Sequence, residues 1–214
     1  MRILQVAMIL WPLAVLFLAI FFHRKQNSKD PWTGGPISWP KSLWLSNAIY
    51  SWFFYPIFLS LLFNHRSDLQ FLLLANLVSW WTRGILELFM IYRWFSWSPR
   101  YGISHDSFQV TFYLVALTWM CFANVNFDFA FYFVFAFGLY MLIQMTFEVS
   151  FAFLFLRARS AHEAQENIYY ASDDPKWIFI NRLTKLAVTI SIAYGVTQAV
   201  LLLVWRPQLA LTVH

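Results

Sequence analysis

A chain of 214 residues that is 60% hydrophobic and only 12% charged cannot clothe a water-facing surface, since soluble domains carry about 25% charged residues. Its formal charge of +5 is spread through short segments between apolar runs, which excludes the concentrated basic face that nucleic acid requires. The single Cys121 excludes an intrachain disulfide framework or a cysteine zinc site.

Lipid is the solvent that remains, and the expected class is an all-α, polytopic integral membrane protein. A spanning helix needs about 20 mostly apolar residues. Six runs meet that requirement: 3–22, 46–63, 69–92, 108–125, 129–156 and 184–205. They are continuous rather than alternating, so helices are expected and not a barrel. The reading is a six-transmembrane-helix bundle forming a single transmembrane domain over residues 1–214.

The first run is followed at once by "HRK" and lacks a small-residue cleavage site, so it reads as a retained anchor. Between helices 1 and 2 lies "HRKQNSKDPWTGGPISWPK", rich in Pro, Gly and Trp, which reads as an irregular crossing of the headgroup region. The connections "NHRSD" (64–68) and "NFD" (126–128) are so short that helices 2–3 and 4–5 are expected as tight antiparallel hairpins. Ser67 with Gln70, and Asp106 with Gln109, have capping-box spacing and mark expected helix starts. Asp173 and Asp174 precede Pro175, an acceptable first-turn residue, so a helix from Pro175 could run into the sixth span.

Orientation follows from the cations. Arg24, Lys25, Lys29, Lys41, Arg93, Arg100, Arg157, Arg159, Lys176, Arg182 and Lys185 fall in or beside segments 23–45, 93–107 and 157–183. The positive-inside bias then puts those segments in the cytoplasm and both termini on the other side of a plasma membrane, taken to be a bacterial inner membrane. Trp32, Trp39, Trp44, Trp94, Trp97 and Trp177 cluster at the same boundary, as interfacial anchors do.

The costly residues lie within the runs. A charge at the centre of a membrane helix costs at least about 2.5–3.5 kcal/mol on insertion scales. Arg83 and Glu87 are four residues apart and share a helix face with Asn76 and Ser79. In the fifth run, Gln144 and Glu148 repeat that spacing. The group Arg83, Glu87, Glu148, Gln144 and Asn76 is the candidate intramembrane polar or ion site. It has two readings: a structural one, in which Arg83 neutralises the carboxylates and ties helices 3 and 5 together, and a proton or cation pathway.

Two further clusters are weak metal or acid–base candidates. His105 and Asp106 are adjacent, with Asp106 expected to act as a cap. His162 and Glu166 share a helix face, yet the second histidine of a zinc-binding H-E-x-x-H is missing. No phosphate loop, nucleophile elbow or glycine-rich nucleotide turn occurs, so no cofactor is expected. The functional expectation is a non-catalytic membrane subunit that helps build or stabilise a larger inner-membrane assembly, with the lipid bilayer and other membrane subunits as partners and no nucleic acid. The competing expectation is a small proton- or cation-coupled transporter or channel.

Overall fold

The computed structural model describes residues 2–26, 39–91, 99–160 and 178–211. Within them the chain is helical and contains no strand. The elements are α1 (Arg2–Ile9), α2 (Trp11–Gln26), α3 (Trp39–Ile49), a π-helical segment (Tyr50–Phe54), α4 (Tyr55–Leu62), α5 (Ser67–Ile91), α6 (Pro99–Phe122), α7 (Phe129–Ser160) and α8 (Ile178–Leu211). They form six rods, because α1 and α2 continue one another and α3, the π segment and α4 are a single helix of changing pitch.

Both interruptions trace to proline. Pro12 has no N–H for the carbonyl of Met8, and the first rod breaks at Leu10. Pro56 withdraws a donor from the second rod, and the turn before it widens so that the Tyr55 N–H bonds the Tyr50 carbonyl, five residues back.

Several helix limits differ from those expected. Residues 39–41, at the end of the expected irregular crossing, and 42–45, ahead of the second apolar run, are already helical. The fourth rod starts at Pro99 rather than near Asp106, because proline fits a first helical position where no N–H is needed. Asp106 is therefore no cap. It lies two turns inside α6. The sixth rod starts by Ile178. The turn into α5 has its expected place, whereas the connection from α6 to α7 spans 123–128.

One apolar core joins residues from α1 to α8, with Trp11, Tyr55, Leu59, Phe63, Phe133 and Phe137 at its centre. Trp11 stacks on Tyr50 at 5.3 Å between ring centroids and meets Tyr55 at 4.9 Å. Tyr140 and Tyr194 stack at 4.1 Å with planes 2° apart. At one end of the bundle the two short turns are clasped together. Arg66 forms a bidentate ion pair with Asp68 and also binds Asp128 and the Asn126 carbonyl. Asp128 in turn accepts the Phe131 N–H, capping α7.

Beside this apolar core, several buried positions are polar while outward helix faces are apolar. On α5, Phe71, Leu74, Val78, Trp81 and Ile85 follow one another at helical spacing and are all exposed, while Asn76 and Arg83 on the opposite side are 5% and 2% exposed. On α6, Phe108, Val115, Trp119 and Phe122 are exposed, and Asp106 and Gln109 are buried. Among the described residues, two helical stretches, Phe129–Leu154 and Arg182–Val204, are long and apolar enough to cross a membrane. In α5 and α6 the buried polar residues lower the average hydropathy although the outward faces are apolar.

Candidate polar site between the helices

The polar interior has two parts. The first lies between α5 and α6, which run antiparallel and meet through three rungs of side chains. In the first rung the Tyr113 hydroxyl donates to Asn76 Oδ1 and accepts from Trp80 Nε1. In the second, Ser79 Oγ donates to Gln109 Oε1 at 2.9 Å. In the third, Arg83 reaches Asp106 Oδ1 at 2.9 Å. Positions 76, 79 and 83 descend α5 by helical turns as 113, 109 and 106 descend α6, so each polar group meets its opposite number. Every rung satisfies a group that would otherwise lie unbonded in an apolar interior.

Arg83 is further enclosed by the Trp80 ring, 5.3 Å from its guanidinium carbon, and by Met145 Sδ on α7. Asp106 also contacts His105 Nδ1 at 3.0 Å, and the His105 ring stacks on Tyr101. Helical spacing places Arg83 inside the bundle but does not reveal this carboxylate, because 93–107 reads as a cation-bearing segment between apolar runs. The usable signal was Ser98–Pro99, a helix start that would have carried Asp106 inward. The Glu87 side chain lies outside the described residues, as do His162 and Glu166.

The second part lies between α3, α7 and α8. The Asn47 Nδ2 donates to the Tyr140 hydroxyl at 2.6 Å, Tyr140 donates to Ser191 Oγ at 3.1 Å, and Ser191 donates to the Ala187 carbonyl at 2.9 Å. Gln144 Nε2 donates to the same carbonyl at 3.2 Å. Higher in the bundle, the Tyr55 hydroxyl donates to Gln198 Oε1 at 3.1 Å. Glu148, half-buried, lines two small clefts. One, of about 10 Å³, is shared with Asn47, Ser51, Tyr140 and Gln144. The other, also about 10 Å³, is shared with Trp44 and Thr184. A third cleft, about 30 Å³, is bounded by Trp11, Asn47, Ser191 and Gly195. These hold water-sized species and not an organic substrate, whose pockets run to about 300–1,000 Å³. Among the described residues no three His, Cys, Asp or Glu side chains are grouped as a metal would need.

The site is thus defined as a set of interhelical polar contacts within an apolar-faced helical bundle that has two membrane-length helices. Comparison with protein-family models, with characterised proteins and with solved structures returned no match.

Proposed function

We propose that the chain is a six-span integral membrane protein acting as a non-catalytic subunit of a larger inner-membrane assembly. The observation that carries this reading is the apolar face of α5: an outward stripe of Phe, Leu, Val, Trp and Ile backed by buried Asn76 and Arg83. Water on that stripe would be unfavourable over hundreds of Å², whereas lipid tails or neighbouring apolar helices solvate it. The buried polar groups support the structural role, since Arg83, Asp106, Asn76, Tyr113, Ser79 and Gln109 bond one another across two helices. Lys and Arg asymmetry supports the orientation with both termini outside the cytoplasm.

The direct test has two stages. Resistance of the chain to alkaline carbonate extraction reports membrane integration, and release into the soluble fraction refutes it. Purification in mild detergent, followed by mass spectrometry of co-purifying chains, reports the assembly. Stoichiometric partners support the subunit reading, and a clean monomer or homodimer removes it.

A second reading, a cation-coupled carrier or channel, is favoured by one observation only. The clefts beside Glu148 are lined by hydrogen-bond acceptors on three different helices.

A further inference from the structure

The third rung between α5 and α6 differs from the other two in carrying charge. α5 packs on α4 and the π segment, and α6 packs on α7. The two rods are joined to each other by the side chains of the rungs. The Arg66 clasp fixes one end of this arrangement, at the start of α5. Arg83 lies about 24 Å along α5 from Ser67, at 1.5 Å per residue. The Arg83–Asp106 contact is therefore the rung farthest from the clasp.

Asp106 Oδ1 receives two donors at once: Arg83 at 2.9 Å from α5, and His105 Nδ1 at 3.0 Å from its own helix. A carboxylate paired with a guanidinium only accepts, so Nδ1 is the ring nitrogen that carries the proton. Nε2 then holds the lone pair and meets no described donor. It is also the open corner of the cluster, since the His105 side chain is 12% exposed against 7% for Asp106 and 2% for Arg83. The His105 ring stacks on Tyr101, with centroids 5.5 Å apart and planes 18° apart, so a positive imidazole would lie over an aromatic face. With Arg83 and Asp106 neutralising each other, the cluster is neutral until Nε2 takes a proton.

We infer that His105 Nε2 is a proton-binding site whose occupancy sets the strength of the Arg83–Asp106 link between α5 and α6. Uptake is a simple addition. A proton from water joins the Nε2 lone pair, no bond in the protein breaks, and the cluster passes from neutral to a single positive charge. Imidazolium and guanidinium then face one oxygen, and their repulsion in a poorly screened interior offsets part of the attraction to Asp106. The two cations are not equivalent. His105 adjoins Asp106 on one helix and keeps its contact wherever α5 lies, whereas Arg83 keeps its contact only while α5 and α6 stay together. The loss falls on the link between the helices. The other charged groups nearby are Glu148, within a turn of the Met145 that meets Arg83 on the α7 side, and Glu87, one turn beyond Arg83 on α5. Arg100 stands exposed at the start of α6. The site needs only the geometry of this cluster; that its proton comes from the cytoplasm rests on the proposed orientation.

The full chain in lipid nanodiscs, with Cys121→Ser, receives nitroxide labels at Thr82→Cys on α5 and Ser104→Cys on α6. Both positions are exposed and bond a carbonyl of their own helix, so neither takes part in a rung. Dipolar coupling between the labels is measured from about pH 8 to about pH 5, the range in which histidine ordinarily titrates. Expected is a reversible shift to longer distance of about 1–2 Å, the size of an ordinary helix displacement, following a one-proton curve. His105→Gln, whose amide still donates to Asp106 but takes no proton, should hold the alkaline distance throughout. If His105→Gln does not fold, carbethoxylation of His105 in the parent, located by mass spectrometry, decides. The reagent attacks the free lone pair, so reaction at the alkaline end that falls along the same curve as the distance change is expected. A distance that ignores pH, a shift retained in His105→Gln, or a His105 inert to the reagent at the alkaline end overturns the site. A retained shift would place the titrating group elsewhere, on Glu148 or Glu87.

Discussion

Arg83 on α5 and Asp106 on α6 meet at 2.9 Å with side chains only 2% and 7% exposed. Neither end of the pair can be removed alone without leaving the other charge buried, which costs about 3–5 kcal/mol in comparable cases. Asp106→Asn should therefore sharply lower stability, measured by unfolding in mixed micelles. Arg83→Met should be milder, because His105 still faces Asp106 at 3.0 Å. The double variant Arg83→Met, Asp106→Leu should recover much of the loss, with a coupling energy above about 1 kcal/mol. Additive effects would show that the two charges do not depend on one another.

The clasp between the turns predicts an acid limit. The Arg66 guanidinium, hydrogen-bonded to Asp68, and then the Asn126 N–H hold the Asp68 carboxyl down to about 2 from its ordinary 3.8. A folded-state value below the unfolded one means that the contribution is fully present above about pH 4 and is lost as the pH falls toward 2. Thermal stability should be flat through neutrality and fall across that window. In Asp68→Asn this component of the fall should be absent, and Tm at neutral pH should be lower by a modest amount, as expected for a partly solvated pair.

Much of the architecture could be read from the chain alone, and the reason is physical. The apolar runs coincide with the helical rods, because a helix buried on one side and apolar on the other leaves a continuous apolar run, and two of the rods carry stretches long and apolar enough to cross a membrane among the described residues. The rod ends were less legible where proline acts in two ways: Pro99 starts a helix, while Pro12 and Pro56 disturb one. The stripe Asn76, Ser79, Arg83 followed from helical spacing, but its partners Tyr113, Gln109 and Asp106 did not. Spacing within one helix says which residues share a face, and only the packing of two helices says which faces meet. The stripes Asn47, Ser51, Tyr55 and Ser191, Tyr194, Gln198 also follow from helical spacing, whereas their junctions through Tyr140 and between Tyr55 and Gln198 come only from packing.

Close approach at one glycine gives a packing test. A Cβ on Gly84 would overlap the Phe53 ring of the π segment. Gly84→Ala should destabilise by about 1–3 kcal/mol, as overpacking does. Adding Phe53→Leu should restore most of that loss, since the obstructing ring is removed. Failure of the second change to rescue the first would mean that the π segment does not pack against α5 at that point.

Topology can be read with reporter fusions. Insertions in the 92–98 connection should give a cytoplasmic signal, while fusions in the Asn64–His65 turn and after His214 should give the opposite one. The Arg66 clasp strengthens this expectation, because it holds both short turns at one end of the bundle. Matching signals from 92–98 and the C-terminus would remove the six-span arrangement.

The last prediction tests whether proline causes the widened turn. Pro56→Ala restores a backbone N–H within reach of the Ser51 or Trp52 carbonyl, so the turn, in which the Tyr55 N–H now bonds the Tyr50 carbonyl, can relax to an ordinary α-helix. The variant should be at least as stable as the parent, because a helical hydrogen bond is gained and none is lost, and melting of both proteins in lipid nanodiscs gives the comparison. A clearly lower Tm for Pro56→Ala would show that packing around the segment, and not the proline, sets its pitch.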